Sequence, residues 1–169
     1  MSKWVDLNGP IVADSVYVGG VLAARDAAVT LPAITPITAD YKAMGTMSLP
    51  VNGQFESMEA TITKVGIDLG LAKLVRFKNN DYEFRWVQDS VTADGIVSTV
   101  GCKAFVRGIP KVIPGLSLEP GSISENEITI EVSRFQLIAN GVELWLIDRL
   151  SQVLRIEGVD YFKDFNGLL

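Results

Sequence analysis

The residues that could do chemistry in this chain are few, and their spacing argues against most chemistry. Histidine is absent from the 169 residues, which removes a Ser-His-acid triad and every imidazole ligand. The one cysteine, Cys102, lies in an alternating run and reads as a buried thiol, giving neither a disulfide framework nor a thiolate metal site. Serines and lysines occur without a pattern that pairs a nucleophile with a base. No GxxxxGK or GxGxxG loop is present, so Gly19-Gly20 and Gly101 read as turns and close packing. Asp89 and Asp94 flank a loop ending in Gly95 that could hold a hard cation, but it lacks the dense acidic spacing of a calcium loop. No catalytic residue, metal or cofactor is expected, and the chain reads as a non-enzyme.

Two charged rows remain. Glu127 and Glu131 stand four apart on one strand face, as a solvated surface or as an acidic wall facing a channel. Lys103, Arg107 and Lys111 form a basic row too sparse for a nucleic-acid groove, better suited to pairing with acidic groups on a neighbour. The net charge of −5 offers no standing platform for nucleic acid or an anionic membrane. Apolar residues make up 48% and charged residues 21%, and the mean hydropathy of +0.27 is high for a small soluble monomer, so part of the apolar surface is expected in an interface. No apolar run follows a basic segment at the N-terminus, so no signal peptide is expected. No segment reaches the length of a membrane helix. Folding in a cytosol is the expectation.

These side chains must be positioned by strands. The organising stretch runs from Glu127 to Asp148. Ile128, Ile130 and Val132 alternate with polar residues at period two, and Asn140-Gly141 is a preferred tight-hairpin pair before a second strand from Val142 to Ile147. The phase slips near Arg134, where Phe135 and Leu137 take over, predicting a bulge or a change in which side is covered. Tyr82–Gln88 and Ile96–Arg107 predict a second hairpin, with a polar loop over 89–95 and with Glu83 and Arg85 opposite Tyr82, Phe84 and Trp86. Val16–Val18, Gly19-Gly20 and Val21-Leu22 predict a short first hairpin, and Phe55–Lys64 a further strand. Pro32 and Pro36 keep residues 29–38 at an edge, Met44 to Met47 suits an adaptable contact, and Pro50 to Gly53 reads as a loop. Ile67, Leu71, Leu74 and Val75 recur at helical spacing, with Asp68 early and Lys73 and Arg76 late. A proline-rich connection spans 108–121, and the stripe Tyr161, Phe162, Phe165 and Leu168 within Asp160 to Leu169 predicts a short terminal helix. The expected fold is mainly β: an antiparallel sandwich or partial barrel of six to eight strands, one middle helix and one C-terminal helix, in one domain over 1–169 with an N-terminal arm over 1–14 anchored by Trp4, Val5 and Leu7.

With those residues in view, the chain resembles the major tail tube protein of contractile phage tails, of the P2-like type, or of a phage-tail-like bacteriocin. The resemblance is carried by VYVGG at 16–20, VTLP at 29–32, YKAMGTMSLPV at 41–51 and, most strongly, SRFQLIANGVELWLIDRLSQVLRIEGVD at 133–160. Phe135, Gly141, Glu143 and Asp148 stand at the family's strand, turn and acidic positions, and Arg155-Ile156 precedes Gly158-Val159-Asp160. Length and element order match over nearly the whole chain. Residues Met1 to Ala13, ahead of the first hairpin, depart from the pattern.

The resemblance implies a virion or particle structural protein, assembled in the bacterial host cytoplasm. Homo-hexameric rings would stack into a hollow tube whose inner wall is a multi-subunit β-barrel. The tube would sit inside a contractile sheath, between a baseplate or tube initiator and a tail terminator, with a tape-measure protein in the lumen and DNA passing through if the particle is a phage. Glu127, Glu131, Glu143 and Glu59 are the lumen-facing candidates, expected to make the wall acidic, with Lys103 or Arg107 offsetting part of the repulsion. Asp89, Asp94, Lys103, Arg107, Lys111, Pro114, Phe162 and Phe165 are the inter-subunit candidates. A tube initiator or baseplate protein of the same fold, and a stand-alone ligand-binding β-barrel with Tyr82, Trp86 and Trp145 lining a cavity, stay open as alternatives.

Overall fold

The computed structural model describes residues 7–169; Trp4 and Val5, offered above as arm anchors, lie outside them. Along the chain come β1 (Leu7–Val18), β2 (Val21–Arg25), β3 (Ala28–Thr30), β4 (Pro36–Lys42), β5 (Thr46–Phe55), β6 (Glu59–Val65), α1 (Leu69–Leu74), β7 (Asn80–Val91), β8 (Val97–Pro110), β9 (Glu125–Ala139), β10 (Val142–Asp148), β11 (Val153–Ile156), β12 (Val159–Asp160) and α2 (Lys163–Gly167). Ten strands form one sheet in the order β12-β11-β10-β9-β8-β7-β1-β2, with β6 also on β9 and β3 on β6. Every pairing is antiparallel. Among the described residues no helix is long and apolar enough to cross a membrane.

The strand β9 is the spine. One edge is held by β8 from Ile130 to Ala139. The other edge is held first by β6, from Glu125 to Glu131, and then by β10, from Arg134 onward. The handover falls at Ser133, which the β8 ladder skips between Val132 and Arg134. An extra residue there reverses the facing of everything beyond it. Hence Ile128, Ile130 and Val132 are buried before the bulge and Phe135 after it, which is the phase slip the sequence shows. The Asn140-Gly141 turn places both residues at positive φ, 48° and 77°, as the primed hairpin turn requires.

The sheet curls toward closure. Strand β2 hangs on β1 and β3 hangs on β6, and only the corner Asp26-Ala27 separates them. Asp14 latches that corner: its carboxylate accepts from the Ala27 N–H at 3.0 Å. The enclosed core takes Val16, Tyr82, Phe84, Val106, Ile130 and Phe135 from the spine side and Ala24, Ala60, Ile62, Leu71 and Leu74 from the other. Helix α1 exists because Asp68 caps it, accepting from Leu71 N–H at 3.1 Å, and because Leu71 and Leu74 are buried. The result is a mainly β partial barrel with the two expected short helices.

Several strand limits differ from the sequence expectation, which had fewer strands. Strand β1 begins at Leu7 and runs through Gly9-Pro10, because the β7 ladder jumps from Asn8–Ser90 to Ile11–Gln88 and leaves the proline out of register. The turn between β7 and β8 narrows to residues 92–96, and β8 continues through Gly108 to Pro110. The largest difference is β4–β5, a separate two-stranded hairpin that incorporates the Pro50–Gly53 stretch expected to be a loop. Proline is tolerated there because, among the described residues, neither strand pairs with a second strand.

Candidate functional site

Residues facing each other across an antiparallel ladder share one side of the sheet, so the registers define the surface turned away from the core. Its first row is Glu59, Glu131 and Ile109. The second is Asp81, Arg107, Arg134 and Asp148. The third is Tyr17, Glu83, Phe105, Gln136, Leu146 and Arg155. The fourth is Arg85, Lys103, Ile138 and Glu143. This is a broad, ionic plate.

The plate contains three directly opposed like-charge pairs, Glu59–Glu131, Arg107–Arg134 and Arg85–Lys103, an arrangement that is destabilising by itself. Opposite charges answer them from neighbouring positions. Lys111 Nζ bonds Glu59 and sits 2.9 Å from Glu131. Arg149 lies 3.9 Å from Glu131, and the Ser57 hydroxyl donates to it at 2.8 Å. Asp81 takes Arg107 at 2.8 Å, and Asp148 lies 4.0 Å from Arg134. Glu83 takes Arg85 at 2.5 Å, with the guanidinium 4.4 Å above the Tyr17 ring. Glu143 accepts from Arg155 at 2.6 Å and from Gln136 at 2.6 Å. Lys103, Glu127 and Asp89 have no ion pair among the described residues.

Protonation follows these contacts. Burial alone would push the Glu131 carboxyl up, but Lys111, Ser57 and Arg149 together hold it below its ordinary value. Arg155, followed by Gln136 and Arg134, outweighs burial and holds Glu143 down. Glu59 and then Glu131 push Lys111 up.

The sequence candidates thus fall on distinct surfaces. Glu59, Glu127 and Glu131 share one end of the plate and Glu143 lies across it, but three of these four carboxylates are neutralised within the chain. Lys103 and Arg107 are on the plate, yet the counter-charges that reach the Glu59–Glu131 pair are Lys111 and Arg149. Asp89 is in β7 opposite Thr99, and Asp94 is in the following turn. Pro114 lies in the exposed 111–124 connection, whose Val112, Ile113, Leu116, Leu118 and Ile123 also face solvent. Phe162 and Phe165 sit at the base of the β4–β5 hairpin, where Phe55 and Phe162 pack at 6.0 Å and Phe162 and Phe165 at 6.2 Å. Tyr82 is in the core and its hydroxyl donates to the Leu74 carbonyl at 3.0 Å. Sequence reasoning missed Asp81, Arg134, Asp148, Arg149 and Arg155 as members of the plate. Period-two phase could have placed Asp81 beside Glu83 and Arg85, but the cross-strand partners depend on a register that a single strand does not encode.

Unsatisfied backbone edges complete the picture. Strand β2 pairs β1 only from Ser15 onward and the Asp26 N–H reaches the Asp14 carbonyl, so among the described residues the edge of Leu7 to Ala13 is open. Strand β9 reaches β8 only as far as Cys102, so among the described residues the edge of Val97 to Val100 is open on the opposite flank. The β4–β5 hairpin pairs with no third strand among the described residues and exposes Ile37, Tyr41, Met44, Met47 and Leu49. Among the described residues no group of three or more His, Cys, Asp or Glu side chains could hold a metal ion.

A family model described as phage tail tube protein FII matches residues 11–168. No curated protein matches the chain. Among solved structures, the chain is similar to a chain of the PVC sheath-tube complex of an extracellular contractile injection system in its extended state, with 19% identity, TM-score 0.54, and coverage of 78% of this chain and 91% of that one. It is also similar to a chain of the PVC sheath/tube terminator in the extended state, with 17% identity, TM-score 0.51, and coverage of 77% of this chain and 94% of that one. At these identities the two structures speak to the fold.

Proposed function

The chain belongs to the phage tail tube protein FII family, and from that premise we propose that it is the repeating inner-tube subunit of a contractile tail or injection machine. Hexameric rings of it stack into a hollow tube inside a sheath, and the lumen conducts DNA or the tube perforates a target envelope. The observation that carries this reading is the pair of open strand edges on opposite flanks of one sheet. An open edge is an aggregation hazard in a monomer and is removed when neighbours close a common barrel. Two different edges make a head-to-tail contact, which closes into rings. The ionic plate then becomes the lumen wall, with Glu59, Glu127, Glu131 and Glu143 on it. The β4–β5 hairpin and the 111–124 connection, both apolar and uncovered, supply contacts between subunits or rings, together with Asp94 in the β7–β8 turn.

A ring-forming relative that starts or ends the tube is a second reading, favoured by the likeness to the chain of the sheath/tube terminator complex. The two separate on assembly. Sedimentation across a concentration series, followed by negative-stain imaging, should give tubes of many rings for the repeating subunit and single rings for the alternative. A sharp monomer at every concentration, with or without tail components, would remove both. Sheath, baseplate initiator, terminator and a tape-measure protein are the partners that follow from this function, with assembly in the bacterial host cytoplasm.

A further inference from the structure

Two of the four methionines stand together on the β4–β5 hairpin. Met44 lies at its tip, beyond the Lys42–Thr46 pair that ends the ladder, with its side chain fully exposed. Its backbone φ is 50°, a left-handed conformation that favours glycine or asparagine over a long unbranched side chain. Neither packing within the subunit nor turn chemistry therefore accounts for a methionine there. Met47 stands opposite Tyr41 in the ladder and is 46% exposed, so the two share one open side of the hairpin. The other described sulfurs are shut away. Met58 is fully buried, and Cys102 is 3% exposed. Burial pushes the Cys102 thiol up, which keeps it out of the reactive thiolate form.

We infer that Met44 and Met47 are a modification site for a hydroperoxide, and that oxidation of the free subunit at this site bars it from assembly. The second half rests on the reading that the hairpin is a contact between subunits or rings. The thioether needs no activation. A sulfur lone pair attacks one peroxide oxygen, the S–O bond forms as the O–O bond breaks, and the proton of the attacked oxygen passes to the departing hydroxide, which leaves as water. The sulfur loses two electrons and the peroxide gains them. The product is a methionine sulfoxide, polar and chiral where the thioether was apolar. The barrel core is untouched, because Met58 and Cys102 are out of reach. The hairpin changes character instead: a sulfoxide must shed water to enter a contact that the thioether enters freely. The same contact shields both sulfurs once it is made, so oxidation acts on subunits awaiting assembly rather than on finished tubes.

The test exposes the full chain to dilute hydrogen peroxide, maps the oxidised peptides by mass spectrometry, and then follows assembly by sedimentation and negative-stain imaging. Met44 should be consumed first and Met47 next, with Met58 and Cys102 slower by roughly tenfold or more. Circular dichroism should not change, while the concentration needed for assembly should rise roughly tenfold. Methionine sulfoxide reductases of both stereospecificities should restore it. The M44L/M47L variant keeps side chains of similar bulk without sulfur, and should assemble as the parent does both before and after peroxide, although Met1 remains in it. Met44→Gln puts a polar group of similar length at the tip and should weaken assembly with no oxidant present. In tubes formed beforehand, both hairpin sulfurs should react roughly tenfold more slowly than in the free subunit. Oxidation that falls equally on Met58 or Cys102, oxidised parent that assembles unchanged, equal reactivity in tubes and free subunits, or peroxide that blocks M44L/M47L as it blocks the parent would each overturn the proposal alone. Parent protein that forms neither rings nor tubes before any oxidation would instead remove the assembly reading, and this proposal with it.

Discussion

Gly108 is the residue on which the handover at the spine depends. It stands opposite Val132, beside the bulge, and a Cβ built on it would meet the Glu131 carbonyl oxygen at 2.3 Å and an Ile130 methyl at 2.7 Å. A backbone oxygen at that distance cannot rotate away, so the strands must separate. Gly108→Ala should destabilise the subunit by about 1–3 kcal/mol, read as a lowered urea midpoint; an unchanged midpoint would mean that the bulge absorbs the methyl. A few residues away, the Lys111 node makes a prediction in pH. Glu131 is held below its ordinary value near 4.5, so its contribution is complete above that value and is lost as pH falls through the lowered one. Lys111 is raised above its ordinary value near 10.5, so its contribution is complete below that value and is lost as pH rises through the raised one. The difference in urea midpoint between the parent and Lys111→Met should therefore stay flat from about pH 5 to pH 10 and shrink outside that window. A difference that varies steadily across neutral pH would contradict the pairing.

At the scale of elements, the C-terminal segment acts as a clamp. Phe162 is 4% exposed and sits between Phe55, the last residue of β5, and Phe165. Phe165 in turn lies 3.8 Å from where a side chain on Gly53 would begin, and Arg149 donates to the Phe55 carbonyl at 3.4 Å. Phe162→Ala should cost about 3–5 kcal/mol and should speed amide exchange in β4 and β5 more than in β7 and β8; a loss of stability with no change in that pattern would show that Phe162 only fills space. How much of this the sequence could reveal differs by element. The β9–β10 hairpin was legible because its burial pattern and its turn pair are local, and the slip near Arg134 registered even the bulge. The middle helix was legible from Asp68, Leu71 and Leu74 for the same reason. The β4–β5 hairpin was not, because Ile37, Tyr41, Met44, Met47 and Leu49 are exposed and so follow no clear period. The plate's ion pairs were illegible for a third reason: Lys111 meets Glu59 across 52 positions, and only the assembled register brings them together.

The whole molecule is shaped by the blade in which β1, β7 and the tip of β8 run past the rest of the sheet. Within it Leu7, Ile11 and Val12 lie along one free edge, and Ile96 and Val97 stand at the tip beside the other, all of them exposed. A monomer would be expected to blunt such edges with lysines, prolines or bulges. The β1 edge has Gly9-Pro10 and skips Val12 in its ladder to β7, yet it carries no charged side chain from Leu7 to Ala13. The two flanks differ, so a two-fold dimer would leave one flank of each copy unused, whereas a head-to-tail ring uses both. This yields an ordered expectation for Ile11→Lys with Val12→Lys. Both side chains are exposed in the subunit, so the variant should keep its circular dichroism and lose little stability, with surface changes of this kind typically staying within about 0.5 kcal/mol. Two lysines on the edge should nonetheless block pairing with a neighbour, and sedimentation should then show a monomer at concentrations where the parent forms rings and tubes. Mixing the variant into the parent should shorten tubes rather than leave them unchanged, because each variant molecule still offers an intact β8 edge while its β1 flank cannot be joined. If the variant instead assembles as the parent does, the ring contact lies away from β1, and the exposed hairpin and the 111–124 connection become the surfaces that close it.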